Sequence, residues 1–200
     1  MASSYHHGDL PAALRAATVD LIADKGTAGF SLREVARRAG VSHAAPAHHF
    51  GDAEGILTSV AAEGFAKLAD EMAAASSPSD RAIDRLRLTG AAYLRFAVEN
   101  PGHFAVMMKQ LVDCSDPDLL THSVRSYDVL LDVMTSVREQ HNPDLDIEAA
   151  ATFTWSSIQG LVALAPNLEQ VAKDTGTATA PVGVLVDQFA TFMLEGFAAR

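Results

Sequence analysis

Along most of this 200-residue chain, apolar side chains recur every three to four positions, the period of a helix buried on one face. Leu14, Ala17, Thr18, Leu21 and Ile22 form one such stripe and predict a first helix from about Leu10 to Lys25. Asp9 is its N-cap, Pro11 fits the first turn, and Gly26 ends it. Leu32, Val35, Ala36 and Ala39 mark a second, shorter stripe. Ser31 caps it, Glu34 three residues on closes a capping box, and Gly40 stops it. Val41 packs the turn, and Ser42 caps a third helix running to Phe50. Asp52 caps a fourth helix, about Ala53 to Ala75, before the soft break Ser76-Ser-Pro-Ser-Asp80. Helix five then runs from about Asp80 to Glu99, with Leu86, Tyr93, Leu94 and Phe96 pointing inward. Asn100-Pro101 starts another, carrying Phe104, Met107, Met108 and Leu111, and a further helix covers about Pro117 to Gln140. Two apolar helices close the chain, about Ile147–Leu164 and Val182–Ala199, around a Thr/Gly/Ala-rich loop at 174–181. The expected class is all-α with about nine helices.

Residues 26–58 are the most informative stretch. A short helix, a Gly-centred turn of three to four residues and a second short helix make the spacing of a helix-turn-helix, whose second helix enters a DNA major groove. The same spacing is also met in an ordinary αα-hairpin, so charge has to be weighed. The chain carries a net −10. Residues 1–60 hold five Arg/Lys against six acids, close to neutral, and five of the eight histidines (His6, His7, His43, His48, His49). Residues 61–200 hold ten Arg/Lys against nineteen acids. A phosphate partner would therefore be held by a local patch, with no global field to help.

Other chemistries find little support. No G-x-S-x-G, Gly-rich phosphate loop, Cys-x-x-Cys or His-Glu-x-x-His motif is present, so no catalytic, metal or cofactor site is expected. The paired histidines His6-His7 and His48-His49 diverge by about 100° on a helix and do not readily share an ion. The single Cys114 permits no intramolecular disulfide, no run of about 18 apolar residues could span a membrane, and the opening residues are polar. The expectation is a cytoplasmic protein that is not an enzyme and touches no membrane.

Phe30-Ser-Leu-Arg-Glu-Val-Ala-Arg-Arg-Ala-Gly-Val-Ser42, the His-His-Phe ending at Phe50 and Gly51-Asp-Ala-Glu-Gly-Ile-Leu57 together resemble the DNA-binding head of the TetR-type bacterial transcriptional regulators. That resemblance covers Leu10 to about Val60. Tyr5-His-His-Gly-Asp-Leu10 resembles the N-terminal arm of one subgroup, and Trp155-Ser-Ser-Ile-Gln159-Gly160-Leu161 that subgroup's Trp-x-x-x-His-Gly motif, with Gln159 in place of His. The resemblance implies a three-helix head at 1–53 and a larger ligand-binding and dimerising body at 54–200. It makes the third helix the recognition helix. His43 and Ala44 would face base edges, Ser42 and Ser31 would reach phosphates at helix starts, and Ala47, His48 and His49 would lie beside the backbone. Arg33, Arg37 and Arg38 on helix two are either phosphate contacts or a solvated face. Family members often have Leu-Tyr where this chain has Pro46-Ala47, the Tyr bonding a phosphate, and often a Lys where Ala53 stands. Pro46, a turn into the helix, is expected to forfeit one backbone bond and bend the reading surface.

The same resemblance implies an effector pocket among the body helices, lined by Tyr93, Phe96, Phe104, Met107, Met108, Tyr127, Trp155 and Gln159. An apolar cavity with Gln159 and Tyr127 as polar points suits a small hydrophobic effector; equally, Met and aromatic residues at this spacing fill cores. The last two helices carry more apolar and small surface than one monomer uses, including Phe153, Ile158, Leu161, Val186, Phe189 and Phe192, which predicts a homodimer. The expected partners are thus a double-stranded DNA operator, a small-molecule effector and a second copy. The competing reading keeps the fold and drops the operator: a dimeric ligand-binding or protein-interaction module with a degenerate head.

Overall fold

A computed structural model describes residues 9–108, 112–175 and 182–198 of the chain. Among them it is all-helical: α1 (Leu10–Lys25), α2 (Leu32–Ala39), α3 (Ala45–Phe50), α4 (Ala53–Ser76), α5 (Ala82–Glu99), α6 (Pro101–Met107), α7 (Pro117–Gln140), α8 (Ile147–Thr175) and α9 (Val182–Ala198), with one 3-10 turn at Thr27–Gly29. Residues 5–8 of the expected N-terminal arm, with His6 and His7, Leu111, and most of the loop at 174–181 lie outside the described residues.

The chain divides into two compact units, Met1–Lys67 with Asn100–Ser123, and Leu68–Glu99 with Val124–Arg200. In the first, Leu14, Ala17 and Leu21 of α1 meet Val35 and Ala39 of α2 and Ile56 of α4, with Leu10, Phe30, Leu32, Val41 and Phe50 packed around them. This is the stripe that sequence periodicity marks, and it fixes α2 and α3 against α1. The sixth helix joins the same unit by a close approach. Gly102 is buried, and a side chain there would stand 2.3 Å from the Val19 carbonyl oxygen of α1.

In the second unit, Leu86, Leu130, Val133, Met134, Val137, Ala150, Ala151, Ala190 and Met193 form the core from α5, α7, α8 and α9. Gln140 ties the start of α5 to the end of α7, accepting from the Ala82 amide (3.0 Å) and donating to the Asp80 carbonyl (2.6 Å). Arg85 pairs with Asp132 and donates to Ser136, so α5 and α7 run antiparallel.

Three local readings need correction. Ser31 caps α2 by accepting from the Glu34 amide (3.3 Å), but the Glu34 carboxylate turns to Arg37 and Lys25 and does not close the box. The third helix begins at Ala45, not Ser42. Its N-cap is Ala44 with no side-chain bond, and Ser42 only accepts from the Ala45 amide through its carbonyl. Pro46 therefore sits in the first turn, where its missing N–H would have had no helical partner, so it breaks no bond and instead buries its ring. Finally, α8 continues past Leu164 through Pro166 to Thr175. The Leu-Glu-Gln-Val-Ala-Lys run after that proline consists largely of good helix formers, which outweigh one interruption.

Candidate nucleic-acid interface and effector-binding residues

The turn between α2 and α3 follows from one glycine. Gly40 adopts φ 68°, ψ 31°, a left-handed conformation that a side chain disfavours, and donates to the Arg37 carbonyl (3.3 Å). Val41 donates to Ala36 across the helix end (3.0 Å), closing a Schellman motif with Val41 packed on the core. The chain then turns into α3, whose first bond runs from the His48 amide to the Ala44 carbonyl (3.0 Å). Gly51 ends α3 at φ 78°, and Asp52 starts α4 by accepting from the Gly55 amide (2.9 Å). Gly55 in turn lets α3 approach α4, since a side chain there would meet the Phe50 carbonyl.

This frame presents the expected residues to solvent. Ser31, Arg33, Arg37, Ser42, His43, Ala44, Ala47, His48 and His49 are all exposed, while Pro46 and Phe50 face inward. The His48 and His49 rings meet edge-on, 5.3 Å apart at 74°. The cations are less free than the sequence implies. Arg37 grips Glu34 through two bonds (2.7 and 2.8 Å), and Lys25 adds a third (3.2 Å). The two cations hold the Glu34 carboxyl down to about 2, Arg37 contributing most. Arg38, expected to be exposed, is largely covered and pairs with Asp24 at 2.6 Å. Arg33 alone of the three has no ion-pair partner among the described residues.

Sequence reading passed over a polar cluster joining α1, α4 and α6 in the same unit. Glu63 accepts from Arg15 (2.9 Å) and Lys67 (2.6 Å) and lies 3.3 Å from the buried His103 ring, which also meets Lys67 at 3.4 Å. Burial alone would push Glu63 up, but these neighbours outweigh it and lower the group to about 2. His103 is pushed below its usual range, first by burial and then by the Lys67 charge. Glu63 and Lys67, one turn apart, were the only sequence signal of this cluster. A carboxyl depressed in the folded state stabilises above its unfolded value near 4.5 and loses that contribution as pH falls toward 2. Wild-type protein is therefore expected to lose about 1–2 kcal/mol more than Glu63→Gln between pH 5 and pH 2, the figure being discounted for partial solvent contact. Urea unfolding at a series of pH values checks this; parallel losses in the two proteins would refute it.

The eight residues proposed to line an effector site divide between the units. Tyr93, Phe96, Tyr127, Trp155 and Gln159 belong to the second, and Phe104, Met107 and Met108 to the first, with Met107 seated over Gly64. Within the second unit, Tyr93 donates to Gln159 Oε1 (2.7 Å), and Tyr127 shares a hydrogen bond with Thr152 (3.1 Å) while its ring lies 6.1 Å from Trp155. Burial raises the Tyr93 phenol to about 12, so it stays protonated and donating. Phe96 is fully buried.

Comparison with known proteins brings the two halves together. Residues 14–60 match the family model described as "Bacterial regulatory proteins, tetR family", and residues 86–169 match "Tetracyclin repressor-like, C-terminal domain". No curated protein matches the chain. Among solved structures, a protein of unknown function from Rhodococcus sp. RHA1 is 27% identical, with TM-score 0.80 over 99% of this chain and 100% of that one. A bacterial regulatory protein in the tetR family from Rhodococcus RHA1 is 21% identical (TM-score 0.73; 95% and 97% covered). The regulator FadR from Bacillus subtilis, solved with stearoyl-CoA, is 17% identical (TM-score 0.72; 92% and 98% covered). These last two likenesses are of fold.

Proposed function

Because the chain belongs to the TetR family of bacterial regulatory proteins, and is accordingly a DNA-binding transcriptional regulator with a ligand-binding C-terminal domain and not an enzyme, we propose that it is a repressor released from DNA by a small hydrophobic effector. The head is residues 1–53 and the body 54–200. The operator is palindromic, read by two copies of α3. His43, Ala44 and Ser42 meet base edges and the nearest phosphate, Ser31 and Arg33 hold the flanking backbone, and Ala47, His48 and His49 lie along it. The observation that carries this reading is the exposure of all nine residues on one helix-turn-helix whose inward positions, Val35, Ala39, Pro46 and Phe50, are packed.

Dimerisation through α8 and α9 is supported by apolar side chains left in solvent there: Phe153, Leu164, Val184 and Phe192. Burying them against a second copy would form a two-fold four-helix interface and set the recognition helices about 34–36 Å apart, the spacing of successive major grooves. An effector that binds better to a body arrangement incompatible with that spacing would lower operator affinity by the difference. Such a regulator works in the cytoplasm; among the described residues no helix is long and apolar enough to cross a membrane.

Occupancy mapping across the genome, with the whole chain and with the head deleted, tests the reading. Discrete sites that vanish with the head support it. Identical maps would instead favour the degenerate-head module, for which the pairing of Arg37 and Arg38 with acids of their own unit is the motivating observation. A quantitative expectation follows from that pairing and from Ala47 and Ala53, which offer no phosphate contact. Each missing contact removes about 0.9 from the slope of log affinity against log salt, so the slope should stay below about 6. Titrations of labelled operator at several ionic strengths measure it, and a steeper slope would contradict the assignment of these residues.

A further inference from the structure

Three histidines stand exposed on the helix-turn-helix: His43 in the turn before α3, and His48 and His49 in the last turn of α3 itself. None of them has an ion-pair partner among the described residues, and His48 and His49 turn their rings edge-on to each other at 5.3 Å. A neutral imidazole brings no charge to a phosphate, whereas an imidazolium brings a full positive charge and a second donor. Protonation of these rings therefore decides how much charge α3 carries.

That charge matters because the neighbouring elements supply so little. The α3 helix packs on α2 and α1 and leads directly into α4. On α2, Arg37 is held by Glu34, and Arg38 by Asp24 of α1. On α1, Lys25 is held by Glu34 and Arg15 by Glu63. At the start of α4, the Asp52 carboxylate accepts from the Gly55 amide. Arg33, Asp20 and Glu54 are exposed and have no ion-pair partner among the described residues. Set against Asp20, Asp52 and Glu54, the unpaired Arg33 leaves this surface short of positive charge for a polyanion.

We propose that His48 and His49 are proton-dependent phosphate contacts: binding DNA draws protons onto this pair, so affinity rises as pH falls through the histidine range. The inference rests on reading α3 as the recognition helix. A phosphate beside an imidazole favours its charged form, so the proton is held more tightly on DNA than off it. Two imidazolium rings this close also repel each other, and an anion beside them offsets that repulsion. The gain in affinity is therefore full below the value of a free histidine, about 6.5, and is lost as pH rises through the higher value in the complex. For a difference of about one unit between the two, each proton taken up changes affinity about sixfold between pH 8 and pH 6.

The probes are two labelled duplexes, one of random sequence and one taken from the occupancy map, titrated with the whole protein at fixed ionic strength and followed by anisotropy. Affinity should rise at least about tenfold from pH 8 to pH 6, and its salt dependence should be steeper at pH 6. Replacing both rings, His48→Gln with His49→Gln, should cut that pH response to less than about twofold. His48→Lys with His49→Lys makes the charge permanent, so it should raise affinity at pH 8 and flatten the response as well. His141→Gln, at an exposed position just after α7 in the other unit, should keep the full response. Binding as tight at pH 8 as at pH 6, or a double glutamine variant with the full response, would overturn the proposal and leave the regulator reading intact. Proton-dependent binding of random duplex with no discrete sites in the map would do the reverse. Binding of neither duplex at any pH would overturn both.

Discussion

Phe96→Ala is expected to lower the free energy of unfolding by about 3–5 kcal/mol, the range for deleting a buried phenyl ring that its surroundings cannot refill. Phe96 has no solvent exposure and is the largest fully buried side chain among the described residues. Its ring lies on the face of α5 that also carries Thr89, Ala92 and Tyr93, all buried. In a chain of this length the change should appear as a fall in melting temperature of roughly 6–20 °C. Thermal melts followed by circular dichroism measure it, with Phe96→Leu as the companion, expected to cost far less because most of the volume is kept. A loss below about 1 kcal/mol for the alanine variant would mean that the core collapses around the gap or that the ring lines an open cavity. That outcome would move Phe96 from packing to ligand contact.

Gly102→Ala is the second large effect, and its origin is opposite: too much matter, not too little. The added Cβ would stand 2.3 Å from the Val19 carbonyl oxygen and 2.9 Å from a Val19 methyl. Neither can yield easily, because the carbonyl belongs to the middle of α1. The α6 helix must back away from α1, at a cost of about 2–3 kcal/mol. Since α1 is the element on which α2 and Ile56 pack, operator affinity should fall as well as stability. Melting curves and operator titrations on the same preparation check both. A variant that melts like wild type would show that α6 does not seat on α1 as described.

Much of this was legible in the sequence because it depends on local chemistry. The caps Asp9, Ser31 and Asp52, the stops Gly26 and Gly40, and the stripe from Leu14 to Ile22 each act within one or two turns of themselves, and each is where the pattern puts it. The misreadings came from side chains with two possible partners. Glu34 could have reached back to Ser31 but is drawn by the stronger fields of Arg37 and Lys25. Ser42 is a good cap by type, yet Ser42 and His43 are spent in the turn and Ala44 takes the cap position. Moving the helix start by three residues also changes Pro46 from a defect into a first-turn residue with its ring in the core. The Glu63 cluster was not foreseen. It assembles from residues on three helices, and only the tertiary register brings those together.

The acids facing Arg37 and Arg38 have a kinetic meaning. If α2 crosses DNA as proposed, Glu34 and Asp24 would have to be displaced from these guanidinium groups before random duplex gained a contact there. Bulk chromosome would then act as a poor sponge for this molecule. Few copies would be titrated away on irrelevant sequence, and a small cellular pool would suffice to keep a true target filled.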